Sequence, residues 1–421
     1  MYNAGSEIYT QTISRQLSRL GHKVAVFSRI EDPYQQDFNI TREKDDFDQS
    51  IQLFLVNHAR SRDRFRHSGM DKALKTVLDT FNPEIIHINH LSHLSTGIID
   101  VAFTEKIPVV FTLHDYWLEC PRGQFLQMAL GEPQVYPECS GQENKKCALH
   151  CMSRMWGGVD LMDDEAYWTR WVELRQKDIQ QIIKKVSVFI SPSFYLKNRI
   201  IDELGIPSDK IIFEPYGFPL NNLKGRKRVN EKQFVFGYIG RIDPSKGIDL
   251  LIRAFGMTTG SAKLRIWGRT SMQDTPALIR LTKGLPEHRR SEVEWLPEYE
   301  NNQIVKHVFD HVDCIVVPSI WDENSPLVIQ EALQAKVPVI TSEKGGMGEL
   351  IQDGINGWTF KHRSIEALAE KLQFVLDNRQ QAAQVAQRGF LNSEDGAIHS
   401  IEDHIQMLIQ IFEKTINGTR E

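Results

Sequence analysis

Long apolar runs are missing from this sequence. Across its 421 residues no stretch is long enough to cross a bilayer, and the start carries no signal-peptide pattern, so a membrane-embedded or exported protein is not expected. Cysteine is scarce: five residues in a chain of this size cannot make a disulfide scaffold. Charge of one sign is scarce too, and a net charge of −5 gives no reason to expect nucleic-acid binding. Neither a GxGxxG fingerprint nor a Walker A sequence occurs. The cytoplasm is the compartment these absences favour. What remains has the composition of a globular protein, 41% hydrophobic and 25% charged, in a chain too long for one core. Two domains, or three, are expected.

The chain is organised around residues 313–360. Asp313 to Ser319 is a short apolar run of strand type, followed by the loop Ile320 to Asn324. Ser325 suits an N-cap and Pro326 a first helical residue, where a proline loses no useful N–H. Leu327 to Ala335 continues as an apolar helix and Val337 to Thr341 as the next strand. Such a strand–loop–helix–strand unit belongs to a parallel α/β sheet, whose ligands bind beyond the carboxyl ends of the strands. Glu323 then lies in the loop, and Glu331 about one and a half turns into the helix. Both carboxylates can face one crevice, where they accept from sugar hydroxyls beside a helix start that attracts phosphate. Either glutamate alone would read as a solvated charge. Their register with Gly345-Gly346 and with Gly354-Ile355-Asn356-Gly357 argues for a site.

That E-x7-E pattern with its glycine pairs resembles the donor-binding segment of the family 4 retaining glycosyltransferases, which have the GT-B fold. A second element matches the same family. After a strand from Gln233 to Ile239 comes the turn Gly240-Arg241-Ile242-Asp243-Pro244-Ser245-Lys246-Gly247. Chemically, it offers a guanidinium that forks onto two oxygens and an ammonium point charge. The resemblance makes Arg241 and Lys246 the clamp on a donor diphosphate, with Gly240 beside them and Gly268 where backbone meets the nucleotide. It also places Asn324, Ser325, Pro326 and Leu327 on the donor, Glu323 on the sugar hydroxyls and Glu331 on the ribose. A third stretch, Ile107 to Tyr116 (IPVVFTLHDY), ends a strand with His114 and Asp115. A histidine there is as readily structural as ligand-binding; the resemblance gives His114 the donor sugar. The turn Asn3-Ala4-Gly5-Ser6 corresponds to the family's glycine-rich approach to the donor phosphate. Where the family has Asn-Gly this chain has Tyr216-Gly217, so no side-chain role carries over there.

The first half opens on a loop, with Ser6 as N-cap and Glu7 to Leu20 as a helix before the strand Lys23 to Ser28. A βαβ unit requires a strand ahead of that helix, so a central strand is expected to be missing and two sheet edges bared. Arg60, Arg62, Arg64 and Arg66 make a basic loop, read as solvated surface or, second, as a contact with a membrane surface or anionic acceptor. Cys120, Cys139, Cys147 and Cys151 fall within 32 residues, in a glycine- and proline-rich insert (117–160). Soft thiolates there suit a structural zinc, with Cys147-x3-Cys151 as a local pair; free thiols in an irregular loop are the alternative. Trp168 and Trp171, three apart, share a helix face and read as core.

These readings predict an α/β protein of GT-B type: two doubly wound Rossmann-like domains facing across a cleft, with the first strand of the N-terminal domain absent. The domains are 1–217 on the acceptor side and 218–396 on the donor side, with a helix at 397–421 crossing back to the first. The resemblance implies transfer of a sugar from a nucleoside diphosphate sugar to a glycan or lipid-linked acceptor hydroxyl, with retained configuration and no cofactor required. The setting it implies is surface-polysaccharide assembly, in the cytoplasm or peripherally at the inner membrane face. His114, Arg241, Lys246 and Glu323 would carry the chemistry. The rivals are a nucleotide-sugar epimerase or phosphorylase on the same architecture, and a catalytically silent sugar-nucleotide-binding subunit.

Overall fold

The computed structural model describes residues 5–59, 65–128, 136–156, 161–269 and 275–420. The chain forms two compact units, one of residues 1–215 with 402–421 and the other of residues 216–401. The crossing thus falls at Pro215, and the chain returns to the first unit within the terminal helix Ile401–Arg420.

In the first unit, β1 (Ala25–Ile30), β2 (Ile40–Lys44) and β3 (Gln52–Asn57) form a sheet in the order β1-β3-β2. β3 runs parallel to β1, with Phe27 opposite Phe54, and antiparallel to β2. Sequence periodicity does not announce β2: Ile-Thr-Arg-Glu-Lys has a single apolar residue, and its charges suit a sheet edge open to water. A separate parallel sheet contains β4 (Ile86–Ile88), β5 (Val109–Thr112), β6 (Val188–Ser191) and β7 (Ile211–Phe213) in that order. β1 and β4 are each paired on one side only among the described residues. The first helix of the described residues is Gly5–Arg19. That helix begins at Gly5, so Ser6 is inside it and not its N-cap; the Ser6 hydroxyl donates to Glu7 at 3.0 Å. The terminal helix belongs here because Ile405 and Leu408 are buried, and Phe412 meets the His87 ring at 5.3 Å.

The second unit is built on one six-stranded parallel sheet. Its strands are β8 (Phe234–Ile239), β9 (Ala262–Trp267), β10 (Val293–Leu296), β11 (Cys314–Val317), β12 (Val339–Ser342) and β13 (Trp358–Phe360). Their order is β10-β9-β8-β11-β12-β13. Strands covered on both faces read as continuous apolar runs, and β11 and β12 are buried at every position. The helix Ile248–Met257 buries Ile248, Leu251, Ile252 and Phe255 against Phe236, Leu264 and Val316. From β8 the chain winds outward through β9 to β10; it then returns to β11 beside β8 and winds the other way. The carboxyl ends of β8 and β11 therefore flank the point where winding reverses, which is where open α/β sheets leave a ligand crevice.

Candidate functional site

The loops leaving β8 and β11 are latched together by backbone contact. Gly247 has φ +66°, and a Cβ there would lie 2.0 Å from the Pro318 carbonyl oxygen. The Ile320 N–H donates to the Ser245 carbonyl at 2.9 Å. Asp243 shapes the turn by accepting from the Ser245 N–H at 2.9 Å. On the other side, the Gly346 N–H donates to the Glu323 carbonyl at 2.7 Å, and a Cβ on Gly346 would fall 1.4 Å from the Asn324 oxygen. Both contacts require glycine, and together they hold three loops in one register. Gly268, at the end of β9, lies against the Gly240 carbonyl.

Those latches bring the predicted charges together. Lys246 Nζ sits 2.6 Å from Glu323 Oε1, and the Ser319 hydroxyl donates to the same oxygen at 2.6 Å. Glu323 is buried, and Lys246 also lies 5.2 Å from the Trp321 ring. Beside them Lys344 pairs with buried Asp322 at 3.1 Å. Arg241 reaches outward: its side chain is 55% exposed, with Asp243 at 3.6 Å as its ion-pair partner. An arginine in that state is available to a ligand with little reorganisation.

The helix at this site begins at Leu327, with Pro326 in the cap position at ψ 117°. Ser325 is therefore not the N-cap; its hydroxyl accepts from Gln330 at 3.0 Å, because Gln330 is folded back onto it. Asn324 and Ser325 are both buried. Glu331 is 7% exposed, so it is not a solvated helix charge. Burial pushes its carboxyl up to about 7, against a hydrogen bond from the Asn301 side chain. Tyr299 lies near it, and burial together with that carboxylate raises its phenol well above the usual range.

In the first unit His114 follows β5, its ring edge-on to Tyr9 at 5.0 Å. Burial, with His90 beside it, lowers His114 to about 3, so its imidazole is neutral at physiological pH. Asp115 accepts from the Trp117 N–H at 2.8 Å and meets His90 at 3.3 Å. Burial works against a charge on His90, yet Asp115 holds it above its ordinary value. Beneath lies a chain of buried contacts: Tyr9 hydroxyl to His404 at 2.8 Å, and His404 to Glu214 at 2.8 Å. Sequence reasoning misses this chain, because its members are separated by 395 and 190 positions. It also misses Ser319, although that residue ends the apolar run of β11. Gly5 and Ser6 open the first helix, and Asn3 and Ala4 lie outside the described residues. So do Arg60, Arg62 and Arg64; Arg66 pairs with Asp100 and, at 2.5 Å, with Asp178. Trp168 is buried and meets Trp171 at 5.8 Å in a small core. Among the described residues no helix is long and apolar enough to cross a membrane.

Two family models divide the chain between them: Glycosyltransferase Family 4 over residues 4–221 and Glycosyl transferases group 1 over residues 221–391. The lipopolysaccharide 1,2-N-acetylglucosaminetransferase of Salmonella typhimurium is 31% identical over 40% of this chain and 47% of its own length. A D-inositol 3-phosphate glycosyltransferase of Corynebacterium aurimucosum is 22% identical over 89% of this chain and 83% of its own. Against the first curated relatives the match spans less than half of their length, 40 to 47%. The crystal structure of Anabaena Alr3699/HepE in complex with UDP-glucose has the same fold, with a TM-score of 0.65 at 16% identity, covering 99% of this chain and 97% of that one.

Proposed function

Because the chain belongs to Glycosyltransferase Family 4, we propose that it transfers a sugar from a nucleoside diphosphate sugar to an acceptor hydroxyl, with retained anomeric configuration. The observation that carries this reading is the meeting of Lys246, Ser319 and Glu323 at the point where the parallel sheet reverses its winding. Breaking the bond between the anomeric carbon and the diphosphate oxygen leaves an oxocarbenium-like sugar and puts negative charge on the leaving group. Lys246 spends one of its three donors on Glu323, and the others can meet a phosphate. Arg241, exposed at the rim, supplies a forked partner for two phosphate oxygens. Fixed cations aimed at developing charge lower the barrier without reorganising as the bond breaks. Glu323 accepts from sugar hydroxyls and Glu331 from the ribose. A neutral His114 can bond a sugar hydroxyl without adding charge to an oxocarbenium-like centre.

The HepE structure is a complex with UDP-glucose and the Salmonella relative is named for lipopolysaccharide, which supports a nucleotide-sugar donor and a surface-glycan or lipid-linked acceptor. The named relatives are glycosyltransferases and leave the epimerase reading without support. A panel of nucleoside diphosphate sugars assayed by thermal shift should single out one donor, because a ligand that prefers the native state raises its melting point. Incubating that donor with acceptor pools, and reading the product anomer by NMR, tests retention. A panel without any shift and without donor hydrolysis would overturn the reading.

A further inference from the structure

We propose that Cys120, Cys139, Cys147 and Cys151 bind one zinc ion, which ties the insert of the first unit to the turn that follows His114. The four residues come from three separate pieces of chain and line one small cavity of about 10 Å3. Cys120 closes the turn after His114, its N–H donating to the Tyr116 carbonyl at 2.8 Å. Cys139 follows the antiparallel bridge of Leu126 with Glu138, and its thiol donates to the Gly141 carbonyl at 3.2 Å. Cys147 ends a short helical turn, Asn144–Cys147, that continues as a π-helical turn, Ala148–Met152. Cys147 and Cys151 are four residues apart on that element, the spacing that turns two ligands toward one ion. None of the four is in a disulfide.

Four thiols without a carboxylate form a soft ligand set, which selects zinc over the hard cations, and four protein ligands make the site closed and structural. Charge supports the same occupant. A zinc ion with four thiolates carries a net charge of −2, and two guanidiniums face the cluster. Arg122 lines the cavity beside Cys151. Arg175, 1% exposed, stacks over Trp117 at 4.5 Å, hydrogen-bonds the Trp117 and Leu118 carbonyls, and lies near Cys120 and Cys147. Asp178 and Asp115 also act on Arg175, and a doubly negative centre beside it would add to that compensation. The local core is also small, made of Cys147, Ala148, Cys151, Met152, Trp168 and Val172, and such irregular segments commonly depend on a staple.

Binding releases four thiol protons and forms four zinc–sulfur bonds of about 2.3 Å. Among the described residues no three of these sulfurs lie within 4.8 Å of one another, so the cluster must contract onto the ion. Purified full-length protein, prepared without chelator, should contain one zinc per chain. Its cobalt-substituted form should show thiolate-to-metal charge-transfer absorption. Chelation should lower the melting temperature and zinc should restore it. The double variant Cys147→Ser, Cys151→Ser should lose the ion, whereas Cys314→Ala, in β11, should keep it. Should the double variant fail to fold, removal and re-addition of zinc with the wild-type chain carries the test alone. Substoichiometric zinc with no cobalt–thiolate band, zinc retained in the double variant, or an intact mass showing disulfides among these cysteines would each overturn the proposal.

Discussion

The two units present polar groups beyond parallel strands by different means. In residues 216–401 the groups are charged and held by backbone: glycine contacts lock neighbouring loops, and Lys246 and Glu323 meet as a consequence. In residues 1–215 with 402–421 the groups are held by side chains, through the buried series Glu214, His404 and Tyr9. The contrast separates two kinds of preorganisation. Loop latching fixes an ion pair beyond the strands, while a buried hydrogen-bonded series holds Tyr9 edge-on to the neutral imidazole of His114.

Removing a charge from the latched site should have the largest effect. Lys246→Ala or Glu323→Ala is expected to leave the circular dichroism spectrum unchanged and to lower kcat by roughly 10² to 10³, the loss typical of removing one preorganised electrostatic contact. Normal turnover in both variants would remove the basis for the assignment. The corresponding break in the first unit should appear in stability. His404→Ala strips hydrogen bonds from Tyr9 and Glu214 in a buried setting, which costs about 2 to 3 kcal/mol in denaturant unfolding. The donor-induced thermal shift should survive in that variant. A smaller effect tests the latch itself. Gly346→Ala pushes a methyl into the Asn324 carbonyl, so the loop must move and donor affinity should fall about tenfold, or ~1.4 kcal/mol. An alanine variant that binds donor normally would show the latch to be dispensable.

Legibility in the sequence follows the same divide. The strand runs of the second unit, the turn holding Arg241 and Lys246 and the spacing of Glu323 and Glu331 could all be read, because each is a short-range pattern. The reversal of winding at β8 and β11 could not, since strand order depends on crossovers that periodicity does not record. Ser325 misled for a related reason: an N-cap residue type followed by proline is a local signal, and Gln330 claims its hydroxyl instead. In the first unit β2 lacked an apolar pattern, and the His404 contacts lacked any local trace. The cysteines lay between these cases, close in sequence but grouped around one cavity only by the fold.

Glu331 yields the prediction with the sharpest sign. Its folded carboxyl, raised by burial to about 7 from an ordinary 4.5, holds a proton that the unfolded chain has already released between those values. Native protein therefore binds more protons than unfolded protein in that window, and stability must fall as pH rises through it, levelling off above about 7. Glu331→Gln abolishes the titration, so the variant should match wild type below pH 4.5 and exceed it above pH 7. Donor binding should move the other way, because a neutral amide accepts more weakly from ribose hydroxyls than an ionised carboxylate does. Opposite signs in the two measurements mark a carboxylate kept for its ligand at a cost to the fold. If Glu331→Gln instead lowered the melting temperature at pH 8 and left donor affinity alone, the hydrogen bond with Asn301 would be its main purpose, and the ribose would need another partner.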